Sequence, residues 1–82
     1  MGLLEQAEPL YREALEASRK KLGNEHPQTL GYISNLGQLL QQMGLLEQAE
    51  PLLREALEGS RKKLGDDHPD TLASMNNLGR LL

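Results

Sequence analysis

MGLLEQAEPL, residues 43–52, is the stretch that decides the fold, because the same ten letters also stand at residues 1–10. The duplication extends well beyond them. Aligning residues 1–40 with residues 43–82 leaves about 30 of the 40 pairs identical, at a period of 42. Self-similarity at a fixed period of about 20–50 residues marks a stacked repeat architecture. The differences gather mostly in two places. Asn24-Glu25 becomes Asp66-Asp67, and residues 31–34 (Gly-Tyr-Ile-Ser) become Ala-Ser-Met-Asn at residues 73–76. The apolar skeleton is retained.

Each copy holds two helical phrases. In residues 4–22, small or apolar side chains recur at Leu4, Ala7, Leu10, Tyr11, Ala14, Leu15, Ser18 and Leu22. That three-and-four spacing paints one stripe on an α-helix. Glu5 and Glu8 stand early and Arg19, Lys20 and Lys21 late, as the helix dipole favours. Gly23 supplies a stop, where a left-handed conformation is expected. Then comes NEHPQTL, residues 24–30, with Pro27 suited to a first helical position that needs no N–H. The second phrase runs over residues 27–42, with its stripe at Leu30, Ile33, Leu36-Gly37 and Leu40, and Gly44 ends it. The second copy repeats both, over residues 46–64 and 69–82. Calling the longer phrase B and the shorter A, the order is B-A-B-A.

Pro9 and Pro51 fall inside the two B phrases. A proline there removes one backbone donor and crowds the preceding turn. The stripe stays in phase on both sides, so a mild bend rather than a break is expected.

Composition narrows the function classes. A chain of 82 residues has room for one small domain, here divided into repeat 1 (residues 1–42) and repeat 2 (residues 43–82). The net charge is -3 and acids and bases interleave, which argues against the clustered basic face of a nucleic-acid binder. There is no cysteine, hence no disulfide framework and no thiolate metal site. No apolar run approaches the roughly 18 residues of a membrane helix. MGLLEQ begins like an acylation signal but carries Gln6 where Ser or Thr is wanted. A non-secreted, reducing, cytoplasmic setting is the expectation, with neither nucleic acid nor membrane as partner.

The pattern Leu36-Gly37, Leu40, Gly44, Leu46, Ala49, Leu53, Ala56-Leu57 resembles the tetratricopeptide repeat, with Ile33 where that family often has Trp. The period and the phrases NNLGRLL, EQAEPLLREAL and LGDDHPDTL resemble the longer variety found in kinesin light chains. The resemblance implies an all-α, right-handed superhelical fragment of antiparallel helix-turn-helix repeats, an α-solenoid. It implies a non-catalytic scaffold for proteins or peptides, with no cofactor and no metal. In this family A helices line a concave surface that holds extended peptides. The implied groove residues are Ser34, Asn35 and Gln38 in the first A helix and Asn76, Asn77 and Arg80 in the second. Asn35 and Asn77 match the family's amide clamp, a side chain that both donates and accepts. Gly37, lacking a side chain, lets helix B approach, with Ala49 as its expected partner.

The frame raises a second expectation. The sequence starts with B and stops inside A, and only Gln41-Gln42 lacks a counterpart before another Met-Gly would follow. A repeat hairpin does not bury its stripe alone. The last A helix is therefore expected to pack on the first B helix of a neighbouring molecule, through Leu78, Gly79 and Leu82 on one side and Leu4, Ala7 and Tyr11 on the other, with Gly79 meeting Ala7. Such a head-to-tail homo-oligomer, or a swapped one, is the alternative function: a structural, self-associating unit, recently amplified or designed. Near-perfect duplication fits either origin.

Sharper chemistry finds little support. His26 and His68 occupy equivalent loop positions, within about 10 Å of each other if the repeats stack, but a metal needs more ligands, and a residue that precedes Pro at a helix start explains both. The glycines are single and placed as stops or contacts, which excludes a phosphate loop. Glu13, Glu16 and Lys20, with Glu55, Glu58 and Lys62, read as solvated faces with i,i+4 support. Tyr11 stands where the second copy has Leu53, and a core position with the hydroxyl at an edge is expected for it. Asn35 and Asn77 face the groove or bond carbonyls of the adjacent repeat.

Overall fold

The computed structural model describes residues 2–82. Four helices follow one another: α1 (Leu3–Leu22), α2 (Pro27–Gln42), α3 (Leu46–Leu64) and α4 (Pro69–Leu81). α1 and α3 are the B phrases and α2 and α4 the A phrases.

Local chemistry explains the helix ends. Before α1, the Gly2 N–H donates to Glu5 Oε1 at 2.9 Å. α2 and α4 open on His-Pro, and each histidine is the N-cap: His26 Nδ1 accepts from the Gln28 N–H and His68 Nδ1 from the Asp70 N–H, both at 3.0 Å. The proline in each fills a position whose donor would have no partner. At the end of α2 the Leu45 N–H reaches the Leu40 carbonyl and the Gly44 N–H the Gln41 carbonyl, with Gly44 at φ 82°. That is the paired-bond Schellman closure, and it needs the positive φ that glycine adopts without a Cβ penalty. Gly23 and Gly65 close the B helices differently. Their φ is 93° but ψ is 163° and 162°. This is the extended mirror region, open essentially to glycine alone, rather than the left-handed helical one expected from sequence.

Both prolines lie within continuous helices and are exposed. Neither proline has an N–H to offer the carbonyl four residues back, that of Glu5 or Glu47. Both of those glutamates are exposed to solvent.

The helices pack in chain order, α1 on α2, α2 on α3 and α3 on α4, into a slab of 39 × 31 × 18 Å. The least dimension is about two helix layers at 8–10 Å each. One layer holds α1 and α3, the other α2 and α4. The core runs through the middle pair: Ile33, Leu40, Ala49 and Leu53 are 0% exposed, and Leu36 and Ala56 nearly so. α2 and α3 come closest. A Cβ built on Gly37 would lie 2.6 Å from Leu53 Cδ2, and one on Gly59 would lie 2.4 Å from Leu30 Cδ2. Gly37 does admit the B helix, but its partner is Leu53 and not Ala49. Leu53 sits one helical turn further along, and its longer side chain lies across the glycine.

α1 buries only Leu15 and Ser18. Leu3, Leu4, Leu10 and Tyr11 are exposed on it. Tyr11 is 41% exposed, not a core residue as its alignment with Leu53 suggests. The stripe face that α3 turns to α2 has no counterpart helix against α1. Tyr11 and Leu53 share a register, not an environment.

The duplicated core is not equally satisfied. Ser18 and Thr29 are buried, and their hydroxyls lie 2.6 Å apart. Thr71, the counterpart of Thr29, is 0% exposed and its Oγ1 has no partner. Removing a bonded partner leaves an unsatisfied group, whereas removing a group already unsatisfied relieves its desolvation cost. Thr29→Val is therefore expected to lower stability by about 1 kcal/mol and Thr71→Val to raise it by about 1 kcal/mol. Urea unfolding of the two variants beside the parent checks both signs.

Candidate functional site

The A-helix layer carries the groove. α2 and α4 touch directly, while no Cα of α1 comes within 8 Å of one in α3. One layer is drawn together and the other spread, so the face presented by α2 and α4 is the concave one. A cleft of about 250 Å³ runs along it, lined by Ser34, Asn35, Gln38 and Asn77, with Asp70 and Leu64 at its margins. A second depression on α4 is lined by Ala73, Asn76, Asn77 and Arg80. All six groove residues expected from sequence thus lie on these two depressions, and Asn77 is common to both.

Their states differ. Asn77 is buried, and both its amide nitrogen and its amide oxygen are hydrogen-bonded. Nδ2 donates to Ser34 Oγ at 3.2 Å, which ties α4 to α2, and Oδ1 accepts from Arg80 at 2.5 Å. Its adjacent-repeat partner is a side-chain hydroxyl rather than a helix carbonyl. Asn35 and Asn76 are exposed, and Gln38 is half-buried. Of the two clamp amides expected from sequence, Asn35 is the exposed one. Asp70, which sequence reasoning did not single out, adds a carboxylate near one end of α4, and Arg80 adds a guanidinium near the other. The signal was present in the exchange of Gln28 for Asp70 between copies.

The opposite face is held by ions. Arg19 forms two parallel bonds with Glu55, Nη1 to Oε2 at 2.8 Å and Nη2 to Oε1 at 3.0 Å. The hydrogen bond to Glu55 raises the Arg19 pKa further above its ordinary high value, so the guanidinium stays charged. Arg12 reaches Gln48 at 3.0 Å, and Lys62 reaches Glu25 at 3.0 Å. These contacts bridge repeat 1 and repeat 2, and Glu25, Glu55 and Lys62 also line a depression of about 690 Å³ between the loop after α1 and α3. Among the described residues no group of three or more His, Asp or Glu side chains is arranged to hold a metal. Both histidines cap helices. No described helix is long and apolar enough to cross a membrane.

The family profile of the tetratricopeptide repeat matches residues 1–62 and again 31–82. The chain belongs to the tetratricopeptide repeat family, and its all-α architecture of four successive helices is consistent with it. No curated protein matches the chain. Repeats of this family are protein–protein interaction scaffolds and typically non-catalytic.

Proposed function

We propose that the α2/α4 face takes an extended peptide segment of a partner protein. The observation that carries this reading is the concave cleft lined by exposed Asn35 and half-buried Gln38, with Asn77 held by its own hydrogen bonds beside them. Asp70 and Arg80 stand ten residues apart on α4, a rise of about 15 Å. An extended chain of four to five residues covers that distance at about 3.3 Å each. A short peptide with a cation at one end and a carboxylate at the other matches the two charges. Aromatic anchors are absent from the cleft, so polar bonds carry the recognition, with modest affinity. The 42-residue period and the long B helices support the kinesin-light-chain-like variety of repeat.

A library of such peptides, read by fluorescence anisotropy, tests the proposal. Asn35→Ala is expected to weaken a selected peptide about 2- to 10-fold, one hydrogen bond's worth, with melting unchanged. Asn77→Ala is expected to weaken it and also to lower melting, because Ser34 loses its tie. A library without a single binder overturns the reading.

The exposed stripes favour a second reading. Leu3, Leu4, Leu10 and Tyr11 on α1, with Leu72 on α4 and Leu82 just after it, are large apolar side chains open to solvent at the two ends of the stack. Contiguous exposed apolar surface of this kind marks an interaction site. Self-association end to end covers both.

A further inference from the structure

We infer that a second copy of this chain seats its α1 on α4 in the register that α3 already takes on α2, with Tyr11 of the next copy lying over Gly79. The inference rests on the end-to-end reading and specifies its contacts. The internal α2–α3 interface is the template. At Gly37 the glycine is covered by Leu53, whereas nothing lies within 4 Å of a Cβ built on Gly79. Displacing the template by one period puts Tyr11, 41% exposed, opposite that open glycine. Gly79 accordingly meets Tyr11 rather than Ala7.

Charge complementarity favours the same register. Inside the chain Arg19 bonds Glu55 and Lys62 bonds Glu25 across the repeats. One period on, Arg61 faces Glu13 of the next copy, and Asp67 faces Lys20 of the next copy. Each pair keeps its signs, although Glu25 has been replaced by Asp67. Arg61 is already held toward this edge by Asp66 at 3.5 Å, as Arg19 is by Asn24 at 2.9 Å. One position is tighter than the template. Ala17 replaces Gly59, so Leu72 of the preceding copy turns its terminal methyls aside where Leu30 lies flat. The contact is heterologous, so copies add in a chain and mass rises without stopping at a dimer.

Sedimentation velocity of the 82-residue chain over a concentration series tests this. The parent is expected to grow in mass with concentration. Glu13→Arg and Arg61→Glu are each expected to weaken association about tenfold. An equimolar mixture of the two variants is expected to recover it, because the two reversed charges then face each other with opposite signs. Gly79→Ala is expected to melt a few degrees higher, by helix propensity, yet associate less. That separates loss of assembly from loss of folding. Association that neither charge variant weakens, or that the mixture fails to recover, overturns this register and leaves end-to-end assembly standing. A parent that stays monomeric at every concentration overturns both.

Discussion

Leu53→Ala is expected to lower the unfolding free energy by about 2–5 kcal/mol. Leu53 is 0% exposed, belongs to the central helix pair and lies against the Gly37 backbone. Truncation removes its transfer free energy and leaves a cavity that Gly37 has no side chain to fill. A chain of 82 residues has roughly 4–12 kcal/mol in hand at typical values per residue. The loss therefore takes a large share of the total, and denaturant titration is expected to show the midpoint falling by about a sixth or more. Tyr11→Ala, at the same place in repeat 1, is expected to change the folded monomer far less, because Tyr11 is exposed. Equal losses at the two sites would contradict the assignment of α2–α3 as the core.

Gly37→Ala is expected to cost about 1–3 kcal/mol through overpacking, although alanine is the better helix former. A Cβ there would meet Leu53 Cδ2 at 2.6 Å and Cγ at 2.9 Å, and both atoms are hemmed in by the core. The sign is expected to reverse once the obstacle goes. In a Leu53→Ala background, Gly37→Ala keeps its propensity gain of up to about 1 kcal/mol and part-fills the cavity. A double-mutant cycle by urea unfolding measures this as strong non-additivity. Additive losses would place the tight contact elsewhere.

Much of the fold was legible because the chain states it twice. The helix limits expected at residues 4–22, 27–42 and 46–64 match the helices within a residue, and α4 begins at Pro69 as its His-Pro start implies. Prolines at helix starts, glycines after helix ends and three-and-four stripes are local signals, and local chemistry settled them. What the letters did not show was which neighbour occupies each face. Asn35 and Asn77 are the same residue in the same phrase, yet one is exposed and the other buried. Asn77 has the preceding A helix beside it and Asn35 does not. Tyr11 and Leu53 differ in exposure for the same reason. The histidine caps escaped notice because His is an uncommon N-cap, although two residues before a helix amide is where an accepting side chain belongs. Gly37 marks a close approach, as its missing side chain suggests. Its partner was not legible, because the length of the opposing side chain, not its spacing, decides what reaches the glycine.

The two layers are fastened by unlike means. α2 and α4 are tied by direct packing and a single amide–hydroxyl bond, while α1 and α3 are joined across their gap by Arg19 and Arg12. The inner layer is thus closed by packing, and the outer one is spanned by arginine side chains. Of the two outer struts only Arg19–Glu55 is an ion pair, and because it is partly exposed its strength falls as ionic strength rises. Salt is therefore expected to loosen α1 from α3 at lower concentrations than it disturbs the α2–α4 packing.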